Sequence, residues 1–239
     1  MGLFGNRKLN KLIERADKGD TEALTTLGVM YSTGDGVDED IEKGFRYYLK
    51  AAELGCPWGQ LNVSGAYLSG TGTKTNVDLG LEWIRKSAEQ DCYMAYHNLG
   101  NIYEKGEFGV EMDRDKALEC YRKAFDLGWV ESAYAIGRMY EDEENYAEAM
   151  TWYTIAAENG DPYAQYGVAT FYACGIGVEI DEEVAFEWCK KAAEQGLPNA
   201  QYNLGMMFLN RDDPKAAKRW LKLSADAGYE MAQEALVNL

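Results

Sequence analysis

Histidine occurs once in this sequence, at position 97, and is the side chain best suited to move protons at neutral pH. A general base needs a partner that orients it and a reacting group within reach. The residues around His97 supply neither, so it is expected to be structural or at the surface. A single His also removes paired-His metal sites and most zinc sites. Gly70-Thr71-Gly72-Thr73-Lys74-Thr75 looks like a phosphate loop. That motif needs four residues between its glycines and a Gly directly before the Lys, where Thr73 stands, and it follows a strand rather than a helix. The acidic runs at 35–42, 141–144 and 179–183 lack the alternating Asp spacing and twelfth-position Glu of a calcium loop. Helix-cap and solvated-loop duty accounts for them. The five cysteines, at 56, 92, 120, 174 and 189, are odd in number and have no CxxC spacing, which suits reduced thiols. Asn62-Val63-Ser64 is formally a glycosylation acceptor but carries no meaning in a cytosolic helix. These residues point to no catalytic group, no metal and no cofactor, hence to a protein that is not an enzyme.

The 24 basic and 40 acidic side chains give a net charge of −16 over 239 residues. At 46% hydrophobic and 13% aromatic, the chain has ample material for a core and is not of the disordered class. The acidity argues against nucleic acid and against anionic lipid, because both need a basic face. Every apolar stretch is broken by charge or Gly before the roughly 20 residues that cross a bilayer. Met1 to Lys8 lacks an apolar core, so no secretory signal is expected there. A monomer in the cytoplasm is expected.

The elements that position these residues repeat. Gly19, Gly55, Asp91, Gly128, Gly160, Gly196 and Gly228 fall 36, 36, 37, 32, 36 and 32 residues apart. Between them a first segment carries a small residue, an apolar–small pair and an aromatic, as in Ala95, Leu99-Gly100 and Tyr103. Those spacings lie on one helical face; we name this helix A. The second segment, helix B, opens at Asp40, Asn76, Asp113, Asn145, Asp181 and Asp213, all preferred N-cap residues. It carries a bulky column (Tyr47, Trp83, Cys120, Trp152, Trp188, Trp220) that is expected to be mostly core, and it ends at the spacing Gly in a left-handed cap. Pro57, Pro162, Pro198 and Pro214 all fall at predicted helix starts. With Leu9 to Asp17 and Glu230 to Val237 as unpaired end caps, thirteen helices are expected.

The A–B connections Gly34-Asp35-Gly36-Val37, Gly70-Thr71-Gly72-Thr73, Gly106-Glu107-Phe108-Gly109-Val110 and Gly175-Ile176-Gly177-Val178, with the Leu-Gly pair, the cap Asp and the terminal Ala pair, resemble the Sel-1-like repeat, a relative of the tetratricopeptide repeat. The resemblance covers almost the whole chain. It implies an all-α, right-handed α/α superhelical solenoid of six helix-turn-helix repeats with a capping helix at each end, and a protein that holds other proteins rather than a catalyst. The organisation expected is a single domain over 1–239, with an N-terminal cap at 1–19, repeats at 20–55, 56–91, 92–128, 129–160, 161–196 and 197–228, and a C-terminal cap at 229–239. The fourth and sixth repeats depart from the pattern, replacing the glycine loop with Glu141-Asp142-Glu143-Glu144 and Asn210-Arg211-Asp212.

In helix-turn-helix solenoids helix A lines the concave wall, the default place for a ligand. Subtracting the buried stripe leaves Trp58, Leu61, Met94, His97, Asn101, Tyr134, Arg138, Tyr166, Tyr202 and Met206 facing that wall. Tyr, Trp, Met and Arg are enriched at protein interfaces. Trp58, His97, Asn101, Tyr134 and Arg138, from three consecutive A helices, are expected to form one contact surface about 20 Å long for a peptide or helical segment. The first reading is thus a scaffold or adaptor; the alternative is an inhibitor or immunity protein whose acidity captures a basic toxin or enzyme.

Overall fold

A computed structural model describes residues 3–237 and 239, with side chains at 7–237 and 239. The leader reading at 1–8 and the last turn of the C-terminal cap therefore lie partly outside the described residues. Among these there is no strand, and fourteen α-helices follow one another. They are α1 (Leu3–Asp17), α2 (Thr21–Thr33), α3 (Ile41–Glu53), α4 (Pro57–Ser69), α5 (Val77–Ala88), α6 (Tyr93–Lys105), α7 (Arg114–Asp126), α8 (Ser132–Asp142), α9 (Tyr146–Glu158), α10 (Pro162–Cys174), α11 (Glu182–Glu194), α12 (Pro198–Asn210), α13 (Pro214–Asp226) and α14 (Glu230–Val237). Six A–B pairs and two unpaired ends require fourteen, one more than the expected thirteen. No described helix is long and apolar enough to cross a membrane.

The chain forms two compact units, residues 1–129 and 130–239. Within each, every helix packs on its neighbours in sequence. Contact across a repeat needs small residues, and the B helices provide them: Ala51, Ala124, Ala156, Ala192 and Ser224 are all buried. Polar groups that this close packing buries pair between repeats. The Ser87 hydroxyl donates to the Pro57 carbonyl and the Ser224 hydroxyl to that of Pro198, both at 2.7 Å. Gln165 Nε2 donates to the Ala157 carbonyl at 3.1 Å, and Gln195 Nε2 to Gln165 Oε1 at 2.9 Å. Gln201 repeats the first bond, but Ala227 stands where Gln195 does one repeat earlier, and Gln201 Oε1 is left without a partner.

All six predicted caps form: the side chains of Asp40, Asn76, Asp113, Asn145, Asp181 and Asp213 accept backbone N–H bonds in the first turn of their B helices. The four prolines open α4, α10, α12 and α13. Asp181 accepts from Glu183 N and Val184 N at 3.1 and 3.0 Å. Asp181→Ala is therefore expected to lower stability by about 1 kcal/mol while leaving partner affinity unchanged. Denaturation midpoints set beside affinities check this, and an affinity loss in a folded variant would give the loop itself a binding role.

The five thiols are unpaired, and burial separates their reactivity. It pushes the Cys120 thiol up to about 11 and Cys189 up to about 12, whereas Cys174 is exposed. Since the thiolate is the nucleophile, a disulfide reagent in mildly alkaline buffer is expected to modify Cys174 in the native protein and Cys189 only after unfolding. Equal native rates at the two positions would contradict this burial.

Candidate protein-binding surface

The bulky B-helix column predicted as core is only half-buried; from the second repeat to the sixth the residue after it takes the deeper place. Tyr48, Ile84, Tyr121, Tyr153, Cys189 and Leu221 turn toward helix A, and four of them meet its small residue. A β-carbon on Gly100 would lie 2.6 Å from the Tyr121 ring, one on Gly137 2.6 Å from Tyr153, and one on Gly28 would overlap Tyr48. Each glycine is thus the gap through which a tyrosine reaches past helix A. The Tyr121 hydroxyl meets Asn101 Oδ1 at 2.9 Å and Glu104 Oε2 at 2.8 Å; that of Tyr153 donates to Glu141, and Tyr48 bonds to Ser32. Ser32, Glu104 and Glu141 each stand four residues after the glycine, one helical turn on. Burial and then the Glu141 carboxylate push the Tyr153 phenol well above its ordinary pKa, so it stays a neutral donor.

In the first unit this arrangement supports an aromatic cluster. Tyr93 opens α6, with Trp58 edge-on to it at 5.4 Å and Trp129 stacked on it at 5.1 Å. His97, one turn along α6, lies 5.3 Å from the Tyr121 ring and 6.4 Å from Trp129. The histidine is part of an aromatic wall. Trp58 is 39% exposed, and the Trp129 indole N–H is buried with no hydrogen-bond partner. Asn101 is held by Tyr121, Met94 is half-buried, and Leu61 is a core residue packed with Leu81 and Ile84, able to offer only a floor.

The second repeat lacks this tyrosine, as do the fifth, with Cys189, and the sixth, with Leu221. In the second, Ser64 replaces the glycine, Ile84 the tyrosine and Leu68 the polar residue one turn on. One position further, where the other A helices carry Val29, Asn101, Arg138, Thr170 and Met206, α4 has Gly65, and a β-carbon there would meet nothing within 4 Å. Above α4 lies a cleft of about 680 Å³, lined among others by Phe45, Leu61, Ser64, Met94, Asn98 and Asn101. A glycine in a helix interior costs about 0.5–1 kcal/mol relative to alanine. Stability is given up here for open space.

In the second unit Tyr134 stacks on Tyr153 at 5.7 Å and leans on the exposed Tyr163 at 5.9 Å. Burial raises the Tyr134 pKa, and the nearby Arg138 charge works against that rise. Tyr166 accepts a bond from Asn203 Nδ2 at 2.9 Å, Tyr202 tilts against Tyr229 at 5.4 Å, and Met206 is half-buried. Trp58, Leu61, Met94, His97 and Asn101 thus belong to the first unit, and Tyr134, Arg138, Tyr166, Tyr202 and Met206 to the second. The sequence reading missed Tyr93, Trp129, Tyr121 and Gly65. Tyr93 is the aromatic member of a column that reads Thr21, Pro57, Tyr93, Val130, Pro162 and Pro198, a departure that could have flagged it.

No three His, Cys, Asp or Glu side chains among the described residues are grouped to hold a metal. The profile of the Sel1 repeat matches residues 21–56, 59–92, 94–129, 130–161, 162–197 and 198–229. Chitin synthase regulatory factor 3 of Schizosaccharomyces pombe is 30% identical over 98% of this chain, which spans 28% of that protein's length. The structure of c5321, a protective antigen of uropathogenic Escherichia coli with an SLR fold, superposes with a TM-score of 0.86 at 33% identity over 95% of this chain and 50% of its own. A Sel1 repeat protein from Oxalobacter formigenes gives 0.81 at 28% identity, over 92% of this chain and 99% of its own. Six matched repeats, from residue 21 to residue 229, make this chain a member of the Sel1 repeat family.

Proposed function

We propose that the chain is a non-catalytic, monomeric cytoplasmic module that binds a segment of another protein along its A helices, within a larger regulatory or scaffolding assembly. One observation carries the reading: in the first unit an exposed tryptophan, the Trp58–Tyr93–Trp129 cluster and an unfilled cleft stand together on α4 and α6. Exposed aromatics on rigid elements are what binding surfaces use as anchors. His97 and the carboxylates of Glu104 and Glu141 are taken up by tyrosines rather than aimed at a common point where a substrate could react. The name of the fission yeast relative, a regulatory factor, supports the same reading. The net charge of −16 favours a segment with basic flanks. Affinity capture from the source organism, followed by a binary test with purified partner, checks the proposal. A reproducible partner whose binding tolerates every substitution on α4 and α6 would refute it.

A further inference from the structure

We propose that the cleft above Gly65 is a receptor for one tyrosine side chain of the bound protein segment. This rests on the reading that the A helices hold such a segment, and adds which residue it must present. The chain fills the corresponding places itself elsewhere. Val29, Asn101, Arg138, Thr170 and Met206 project where Gly65 has nothing, and Tyr48, Tyr121 and Tyr153 occupy the gap that Ser64 and Ile84 leave short in the second repeat. Three of six repeats therefore place a phenol against the small residue of helix A, ring on apolar surface and hydroxyl on a polar group one turn on. The second, fifth and sixth repeats carry no such tyrosine, and of these only the second also has a glycine at the next position of helix A, where the fifth and sixth have Thr170 and Met206.

Its lining suits that occupant. Phe45, Leu61 and Met94 offer ring and thioether contacts to an aromatic face. Asn98 offers hydrogen bonds at the rim, beside Asn101, which is held by Tyr121, and the mutually bonded Ser69 and Thr71 hydroxyls, and buried Ser64 Oγ has no partner. An aliphatic side chain would desolvate those groups without replacing their bonds. Lys105 and Glu107, 3.7 Å apart at the rim, offset each other's charge, so the rim offers no net attraction to a carboxylate or a cation. A neutral phenol satisfies both the apolar floor and the polar rim.

The test uses the full chain with p-cresol as the tyrosine surrogate and toluene as the same shape without the hydroxyl, followed by NMR. Shifts at Leu61, Gly65, Met94 and Asn98 are expected, with a p-cresol Kd of about 1 mM, ordinary for so small a ligand. Toluene should bind about tenfold more weakly, and Asn98→Leu should erase that difference. Gly65→Leu, which fills open space, should weaken p-cresol by about tenfold or more without lowering the melting temperature. In parallel, peptides selected by display against the chain should carry tyrosine and lose binding to Gly65→Leu. Equal affinity for toluene, shifts elsewhere, or an unchanged Gly65→Leu would overturn the phenol receptor. Selected peptides that bind α4 and α6 yet ignore Gly65→Leu would overturn it while sparing the proposed function. Binding of p-cresol with no selectable peptide would make the cleft a site for a free phenol and overturn the protein-segment reading instead.

Discussion

Tyr121→Ala is expected to lower stability by about 3–5 kcal/mol, the range for deleting a buried aromatic ring. Tyr121 is fully buried, and its ring fills the space that Gly100 leaves open under α6. Helix A cannot collapse into the void, because Leu99 and Ile102 on either side of Gly100 are already packed in the core of the first unit. The hydroxyl adds a second loss, since its single proton is shared between Asn101 Oδ1 and Glu104 Oε2. Tyr121→Phe separates the two losses: it keeps the ring and should cost about 1–3 kcal/mol, the price of stranding partly buried polar groups. Denaturant unfolding measures both. Stacked repeats can lose cooperativity, so the m-values of variant and parent must agree before midpoints are compared. A Tyr121→Ala cost near 1 kcal/mol would mean the ring is not the plug described.

Trp58→Ala is expected to weaken the partner by about 2 kcal/mol or more, the scale of a central aromatic anchor. The indole is exposed enough to be covered by a ligand, and its edge contact with Tyr93, itself stacked on Trp129, holds it in one orientation before binding. Pre-ordering matters because a side chain already held loses less entropy when a partner arrives. The same exposure predicts little structural cost, so the melting temperature should change slightly while affinity falls. Calorimetry on the identified partner tests it. A folded Trp58→Ala that binds like the parent would remove the cluster from the interface.

The architecture was largely legible because repetition makes the sequence its own control. A cap at Asp40 means little alone, but the same residue type at six equivalent positions leaves one explanation, and all six bonds form. The site was less legible because columns report what is shared, and a site lies in what is not. The tryptophan column drew attention by size, although the neighbouring Tyr121 and Tyr153 carry the buried contacts. Their role depends on a glycine in another helix, a pairing that helical spacing within one segment cannot show. Gly65 escaped for the opposite reason: an absent side chain leaves no mark on an amphipathic pattern, and its meaning appears only when the space above it is seen. The surroundings of His97, Tyr121 and Trp129, come from outside its own helix, so spacing within that helix could not show them.

On the proposed function the A helices of the first unit, and not the B helices, hold the partner. Hydrogen exchange of the chain with and without the captured partner tests it most directly, because each helix is read separately. Slowed exchange is expected in residues 57–69 and 93–105, with 41–53 and 77–88 unchanged. Protection confined to the B helices, or to the acidic loop at 179–183, would contradict it.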